Sequence, residues 1–215
     1  MTPDIEIVER GKQNKDQRQR CLMEAATQVF AEKGYDAATT REVAVRASCS
    51  EGLIHRYFGG KRGLLMAILE RKADAVMNAS VESMPADAEL GDEIYRMLMS
   101  KVEMYWEERE FMRVAVARSI VDRDIGLLIG ERLNGAHVRV NAERLRVHQR
   151  AGRIRNDIDV EAVALSLSGL GFAAGFFVQV VFETDRDEVR KMVRQAAEIT
   201  TRGIEVAPRE FGADR

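Results

Sequence analysis

The sequence predicts an all-α protein in which a three-helix head with a helix-turn-helix precedes a larger helical body. Three observations carry this prediction. Apolar residues recur at intervals of three and four through most of the chain. Only 3 Pro and 16 Gly occur among 215 residues, of which 46% are hydrophobic and 32% charged. No segment alternates apolar and polar residues as a hairpin strand does.

The first predicted element is a helix that begins near Asp16. Residues 1–15 are polar and lack periodicity, which predicts a flexible arm. From Asp16 onward apolar side chains fall on one helical face, and Gly34 ends the pattern, as glycine does after the last turn of a helix. That face consists of Leu22, Ala25, Ala26, Val29 and Phe30.

Two short helices follow, separated by a three-residue turn. Thr39-Thr40 provides an N-cap for a helix over residues 40–47, and Ser50 caps a second helix over residues 51–58. Gly59-Gly60 ends that second helix. Helices of this length, joined by so short a turn, predict a helix-turn-helix whose second helix enters the major groove of DNA. Its outward face is expected to carry Leu53, His55, Arg56 and Tyr57.

The body is predicted to contain six helices. Lys61 opens a long helix over about 61–80, and Pro85 lies in a loop. The later helices are predicted at about 91–107, 108–121, 124–151, 159–182 and 186–205. The predicted domain boundaries are an arm over 1–15, a helix-turn-helix domain over 16–63, an effector-binding and dimerisation domain over 64–207, and a tail over 208–215.

Charge and motifs narrow the class of protein. Residues 1–63 contain 11 Lys and Arg against 9 Asp and Glu, a net of +2, and residues 64–215 contain 22 against 26, a net of −4. A basic head on an acidic body predicts phosphate contact at one end, although a solvated charged face gives the same balance. Nucleophile-elbow, P-loop and zinc-protease motifs are absent, so the sequence predicts no enzyme, metal site or cofactor.

Three further features bear on the compartment. Cys21 and Cys49 are too few for a disulfide framework, and we expect them to be buried free thiols. The N-terminus lacks the apolar core of a signal peptide, which predicts a cytoplasmic protein. Residues 160–182 approach the length of a membrane span, but small and polar residues dilute their hydrophobicity. We therefore expect a buried helix there and no membrane association, with a membrane or adaptor protein as the alternative.

Four segments resemble the N-terminal signature of the tetracycline-repressor (TetR) family of transcriptional regulators in order and spacing. They are Phe-Ala-Glu-Lys-Gly-Tyr at 30–35, Thr-Thr-Arg-Glu-Val-Ala at 39–44, Ser-Glu-Gly-Leu-Ile-His-Arg-Tyr-Phe at 50–58 and Lys-Arg-Gly-Leu-Leu at 61–65. The resemblance covers about 50 residues. Beyond them, the body resembles the family only in length and helical character.

The resemblance implies roles for the matching positions. Thr40 and Lys61 would contact phosphates, and the recognition surface would consist of Ser50, Gly52, Leu53, His55, Arg56 and Tyr57. Arg41 is a further candidate for a groove or phosphate contact. The family usually has Tyr at the position of His55, so the phosphate contact expected there is weaker or pH-dependent. The basic residues Arg10, Lys12, Lys15, Arg18 and Arg20 either touch the adjacent DNA or form a solvated tail.

Reading a palindromic site in double-stranded DNA requires a homodimer, because two half-sites need two recognition helices. The apolar helix over 159–182 and the last helix are the predicted interface, since small residues allow close packing and the resemblance implies a four-helix dimer bundle. The predicted interface residues are Gly171, Gly175, Val178, Val189, Met192 and Ala196.

Met and aromatic residues in the body predict a pocket for a small apolar or lipid-like effector, although the same stripe also suits an ordinary core. The predicted lining is Met104, Trp106, Phe111, Met112, Arg113, Phe172 and Phe176. The function that follows is a repressor released from its operator by the effector. The alternative is a helix-turn-helix regulator without a small-molecule ligand, controlled by a protein partner or constitutive.

Overall fold

The computed structural model describes the backbone of residues 3–79 and 89–206, with side chains at 14–75 and 89–206. These residues form α-helices and two π-helical segments, and no strand occurs among them, which confirms the all-α prediction. In order the elements are α1 (Pro3–Lys33), α2 (Thr40–Arg46), α3 (Glu51–Phe58), α4 (Lys61–Ala79), α5 (Leu90–Glu107), α6 (Arg109–Val121), α7 (Arg123–Leu127), π1 (Leu128–Asn134), α8 (Gly135–Arg150), α9 (Val160–Phe172), π2 (Ala173–Val181) and α10 (Arg186–Ile204).

The first helix is longer than predicted, because it begins at Pro3 and not near Asp16. Residues 4–15 lack a regular apolar face, but half of them are Glu, Gln, Lys or Arg, and only one is Gly. Straight-chain polar residues lose little rotamer freedom in a helix, so a polar segment can continue a helix that its neighbours nucleate. The predicted tail over 208–215 and the loop at Pro85 lie outside the described residues.

Each of the two longest helices predicted for the body is interrupted by a π-helical segment. Instead of one helix over 124–151, the chain forms α7, π1 and α8, and instead of one helix over 159–182 it forms α9 and π2. A π-helical turn closes hydrogen bonds between residues five apart, so each one shifts the side chains that follow around the helix axis. Apolar spacing predicts the helix and does not reveal such a shift.

The chain divides into two compact units. The N-unit comprises Met1–Ala75 and Glu110–Leu133, and the C-unit comprises Val76–Arg109 and Asn134–Arg215. The boundary predicted after residue 63 therefore falls inside α4, and a segment predicted for the body belongs to the unit that contains the head. The reason is a set of contacts between α4 and residues 118–124, described below.

The N-unit packs the helix-turn-helix against α1. Val43 of α2 and Ile54 of α3 are buried, as predicted, and they share the core with Leu22, Ala26 and Phe30 of α1. Ala47 and Phe58, also predicted for this core, are half-buried. Burial of one face of each short helix leaves the opposite face of α3 in solvent.

The C-unit is built around α5, which packs against α9, π2 and α10. The residues from 160 to 181 have the mean hydropathy of a membrane helix, but half of their most apolar window is buried inside the protein. This stretch is therefore a core helix of the C-unit with one outward face.

The expectation of two buried thiols is wrong. Cys21 is exposed and Cys49 is half-buried. Cys21 precedes Leu22 by one residue on α1, and a step of one residue turns the side chain about 100° away from the buried face.

Candidate nucleic-acid interface

The start of α2 is fixed by a capping box. The Thr39 hydroxyl accepts a hydrogen bond from the Glu42 backbone N–H at 3.2 Å, and the Glu42 carboxylate accepts one from the Thr39 N–H at 3.0 Å. The N-cap is thus Thr39, which leaves the Thr40 hydroxyl to donate to the Glu51 carboxylate on α3. The Lys33 ammonium, together with Thr39, lowers the pKa of Glu42 to about 2. This carboxylate joins α1 to the cap of α2.

Glycines determine the end of α3 and its corner with α4. Gly59 ends α3 with φ of 73°, in the left-handed region where glycine is favoured. At Gly63, a Cβ atom would lie 1.7 Å from the carbonyl oxygen of Phe58, which no other residue can accommodate without displacing the backbone. The Gly63 of the Lys-Arg-Gly-Leu-Leu segment is therefore required for α4 to start this close to α3.

None of the predicted recognition residues is fully buried. Ser50 adopts the backbone of an N-cap but makes no side-chain capping bond. The imidazole of His55 packs 3.7 Å from the position of a Cβ on Gly60. The exposed members of the set are Arg41, Ser50, Gly52, His55 and Arg56, and the half-buried members are Thr40, Leu53, Tyr57 and Lys61.

A cationic recess of about 430 Å³ lies beside the C-terminal half of α3. Asn14, Lys15 and Arg18 of α1 line it together with Arg56 and Tyr57 of α3. The Lys15 ammonium lies 5.9 Å from the centre of the Tyr57 ring. Three cations around one recess suit a phosphate group. The sequence left Lys15 and Arg18 undecided between DNA contact and a solvated tail, because Lys15 precedes the predicted start of the helix near Asp16 and no local pattern places Arg18 beside α3.

Lys61 has a structural role that the sequence did not indicate. Its ammonium donates to the carbonyl oxygens of Tyr35 at 2.8 Å, Asp36 at 3.2 Å and Ala38 at 2.9 Å. It also lies 4.6 Å from the centre of the Tyr35 ring. An ammonium has three donors, so all three are engaged in holding the loop before α2. Phosphate contact by Lys61 stays a prediction that requires it to exchange one of these carbonyls.

Arg62 joins α4 to the segment between α6 and α7 within the N-unit. Its guanidinium pairs with both oxygens of Asp122, at 2.8 and 3.0 Å, and with Asp124 at 2.7 Å. Arg62 is the main reason that the pKa of Asp122 falls to about 2. Arg118 lies 3.8 Å from Asp122 and stacks 4.9 Å from the centre of the Tyr35 ring. Through Arg118, the Arg62–Asp122 pair is thus connected to Tyr35, in the loop that Lys61 holds.

The predicted pocket residues are divided between the two units. In the N-unit, Phe111 and Met112 are buried and Arg113 is exposed, and the Lys72 ammonium lies 5.0 Å from the centre of the Phe111 ring. Met104, Trp106, Phe172 and Phe176 belong to the C-unit.

Inside the C-unit, the aromatic residues of the predicted pocket form a cluster. The Phe172 and Phe176 rings stack at 5.6 Å, and both lie within 6 Å of the Tyr105 ring. Trp106 stands apart from them, between the guanidinium groups of Arg109 and Arg186 at 4.7 and 4.9 Å.

The predicted interface residues do not all face outward. Gly171 packs on the side chain of Lys101 and Gly175 on Tyr105, and Val189 is fully buried. The close approach that we expected between subunits at these glycines therefore occurs inside the protomer. Val178 and Ala196 are half-buried, and Met192 is exposed.

Three large apolar side chains of the last elements are exposed. Leu165 of α9 is 57% exposed, Phe182 after π2 is 68% exposed and Ile199 of α10 is 70% exposed. Ser166 and Gly169 of α9 are exposed small residues, and most of the other exposed residues of α10 are charged. These three apolar side chains are therefore available for contact with a partner.

Comparisons with known proteins agree with this interface. Residues 22–68 match the family model described as bacterial regulatory proteins, tetR family, which confirms the resemblance predicted from the sequence. The HTH-type transcriptional activator FasR of Mycolicibacterium smegmatis is 36% identical over 64 residues, 30% of this chain and 29% of that protein. The HTH-type transcriptional repressor Rv3405c of Mycobacterium tuberculosis is 35% identical over 66 residues, 31% and 35% of the two chains.

These matches span about a third of the length of the curated relatives. The fold as a whole is similar to that of the transcriptional regulator FadR from Bacillus subtilis, solved in complex with stearoyl-CoA. The two share 17% identity with a TM-score of 0.70, over 86% of this chain and 98% of the other.

Proposed function

We propose that this chain, which carries the N-terminal domain of the tetR family of bacterial regulatory proteins, is a cytoplasmic transcriptional repressor. It binds a palindromic operator as a homodimer and leaves it when a small effector with an apolar body binds the C-unit. The observation that carries the proposal is the exposed face of α3 with the cationic recess beside it. Its opposite face is anchored in a core through Ile54, so the exposed side chains are held for contact with an external surface.

The chemistry of that face suits DNA. Arg56 is exposed on α3 and lines the recess with Lys15 and Arg18. A guanidinium can pair with two acceptors of guanine or with a phosphate. Ser50 has an exposed hydroxyl that is not used as a cap. Phosphate contacts of this kind fix the register of the helix, and the groove-facing side chains then select the bases.

A homodimer is supported by the exposed apolar groups on α9 and α10. Leu165 and Ile199 are larger than Ser166 and Gly169, so the surface alternates protruding and recessed positions. That pattern allows helices of two protomers to interlock. The two-fold axis of such a dimer provides the symmetry that two operator half-sites require.

An effector role is supported by the interior of the C-unit. Tyr105, Phe172 and Phe176 form an aromatic cluster beside π2, and π-helical segments are frequent at functional sites. FadR, whose fold is similar, was solved with stearoyl-CoA. One curated relative is named an activator and another a repressor, so the direction of regulation is part of the proposal.

The test is binding to double-stranded DNA from upstream of the protein's own gene, measured by fluorescence anisotropy over a salt series. The test variant is Arg41→Ala/Arg56→Ala, since both side chains are exposed on the helix-turn-helix. The matched control is Arg139→Ala/Arg150→Ala, which removes two exposed cations from α8. We expect the test variant to weaken binding by about 100-fold or more and to flatten the salt dependence, while the control binds like wild type.

Wild-type protein that binds the fragment no better than random DNA would contradict the proposal. An equal loss of DNA affinity in the two double variants would show that affinity depends only on the net charge of the protein. That result would contradict a recognition role for α3. Transcription in a purified system then decides the direction: repression requires that the protein lower transcript yield from the bound promoter.

A further inference from the structure

One buried charge in the C-unit has no counter-charge. Lys101 of α5 is 2% exposed. Its ammonium donates to the Ser168 hydroxyl, to Oδ1 of Asn134 at 2.8 Å and to the Ser168 carbonyl oxygen at 3.3 Å. All three acceptors are neutral. Among the described residues, no carboxylate pairs with this ammonium.

An ammonium in such a place is costly, because neutral acceptors replace only part of the hydration that a charge loses on burial. Burial lowers the pKa of Lys101 to about 8. At neutral pH the group is therefore still mostly protonated, and the protein retains an uncompensated positive charge in its interior.

A second group beside it also lacks a partner. Nε2 of His137, on α8, is buried and makes no hydrogen bond. Burial, followed by the charge of Lys101, lowers the pKa of His137 to about 4, so the ring is neutral near pH 7 and cannot repel the ammonium further. Buried polar atoms in proteins are nearly always satisfied, and an unsatisfied ring nitrogen next to an unpaired cation indicates a missing polar group.

The surroundings of the Lys101 methylene groups are apolar. Gly171 packs against the methylene groups of Lys101, where an added Cβ would lie 3.1 Å from Cδ. One turn along α5, Tyr105 packs against Gly175 and the rings of Phe172 and Phe176. A charged anchor thus lies at one end of an aromatic cluster, which is the arrangement expected for a ligand with an acidic head and an apolar body.

π-helical backbone borders this region on both sides. Asn134, an acceptor of Lys101, is the last residue of π1, and π2 starts at Ala173, one residue after Phe172. Such segments are easily interconverted with α-helical turns and are frequent at functional sites.

We infer that Lys101 is the anchor of a carboxylate ligand, that Nε2 of His137 donates a hydrogen bond to that carboxylate, and that the apolar part of the ligand lies against Tyr105, Phe172 and Phe176. The inference rests on the proposed function in one respect, because it assigns this carboxylate compound as the effector. The carboxylate replaces Asn134 and Ser168 as acceptor of the Lys101 ammonium. It also supplies the negative charge that the described residues around Lys101 lack.

The test compares acids with neutral isosteres of the same shape. Octanoate, dodecanoate, 4-phenylbutyrate and 3-phenylpropionate are each titrated beside the matching primary amide by isothermal calorimetry, with wild type and Lys101→Met. The matched control is Lys191→Met, the same substitution at an exposed lysine of α10. For wild type and the control, we expect at least one acid to bind about tenfold or more tightly than its amide. In Lys101→Met that ratio should fall to near one.

A measurement on wild type alone keeps the inference testable if the variant does not fold. A carboxylate that pairs with Lys101 raises the pKa of its ammonium, so binding at pH 8.5 must take up protons, and the observed enthalpy must change with the ionisation enthalpy of the buffer. Absence of acid preference in all four pairs overturns the inference, whether neither compound binds or both bind equally. Binding without proton uptake at pH 8.5, or an unchanged preference in Lys101→Met, also overturns it.

The outcomes separate the two proposals. Protein that binds its upstream DNA but shows no acid preference retains the proposed function and loses the carboxylate site. Protein that prefers the acids but binds no DNA retains the site and loses the role as a regulator. Acid binding that leaves the DNA affinity unchanged retains the site and removes its assignment as the effector site.

Discussion

The N-unit and the C-unit treat charge in opposite ways. In the N-unit, several charged side chains around the helix-turn-helix lie near the surface and pair with opposite charges, as Arg62 does with Asp122 and Arg46 with Glu32. In the C-unit, α5 carries two fully buried charges eight residues apart. Glu93 pairs with Arg144, whereas Lys101 has only neutral acceptors.

This difference between paired and unpaired charges has different consequences for the stability of the two units. Paired surface charges orient elements at little cost in stability, which suits a head that must present fixed side chains. A buried charge without a counter-ion reduces stability until a ligand supplies one. Glu93 shows that the C-unit can pair a buried charge on the same helix, so the missing partner of Lys101 is a specific property of its position.

The largest effect should come from breaking the paired charge of the C-unit. Glu93→Gln leaves the Arg144 guanidinium, which is largely buried, without its carboxylate. Loss of one partner of a buried pair costs about 3 kcal/mol of unfolding free energy. Urea unfolding followed by circular dichroism measures it, and a loss below about 1 kcal/mol would mean that this pair is no better satisfied than Lys101.

Removal of the unpaired charge should have the opposite sign. Lys101→Met keeps the volume and removes the cost of burial, so we expect equal or greater stability at pH 7. The wild-type pKa of about 8 lies below the ordinary value of 10.5, so the unfolded state binds more protons between these values. Wild-type stability should therefore rise from pH 8 to pH 10.5, by up to about 1.4 kcal/mol per pH unit.

This rise should be absent in Lys101→Met and present in Lys191→Met. Unfolding free energies at pH 7.5, 9 and 10 check it. A Lys101→Met protein that is less stable than wild type at pH 7 would show that the ammonium is a structural group and would remove the contrast with Glu93.

His137 provides a second test of the C-unit, in the dependence of stability on pH below neutrality. Its pKa of about 4 lies below the ordinary value of 6.5, so the unfolded state binds more protons in that window. Wild-type stability should fall as the pH decreases from 6.5 towards 4, again by up to about 1.4 kcal/mol per pH unit. His137→Gln should lose less stability than wild type between pH 7 and pH 5 in thermal unfolding, and an equal loss would contradict the neutral state of the ring.

The smallest effect on stability should come from the surface pairs of the N-unit. Arg62→Ala removes contacts with Asp122 and Asp124, yet Arg62 is exposed, so we expect the midpoint of thermal unfolding to move only slightly. DNA affinity should fall further than the midpoint suggests, because α4 loses its link to residues 118–124. Arg71→Ala is the control, since this exposed arginine of α4 has, among the residues whose side chains are described, an ion pair with Glu24 alone, at 4.0 Å.

The head could be predicted from the sequence because local chemistry determines it. Caps at Thr39 and Ser50 and the glycine at 59 give the limits of α2 and α3 to within one residue. The site around them could be predicted only in part. The recess needs Lys15 on a helix, before the start predicted near Asp16, and it needs Arg18 beside α3, which no local pattern in the sequence indicates.

Features that depend on distant residues escaped prediction. Arg62 and Asp122 are 60 residues apart, and no local pattern pairs them. Gly171 and Gly175 were expected between subunits, because small residues on a helix indicate close packing without saying which neighbour approaches. In the structure the neighbour is α5 of the same chain, with Lys101 and Tyr105 against the two glycines.

The position of Asn134 in the chain bears on the consequence of ligand binding at Lys101. Asn134 is the first residue of the C-unit, and Leu133, the last of the N-unit, precedes it by one peptide bond. The proposed carboxylate ligand would therefore act on the first residue of the C-unit, where it would replace Asn134 as an acceptor of Lys101. Because Asn134 is also the last residue of π1, this residue belongs to the same continuous π-helical backbone as Leu133 of the N-unit.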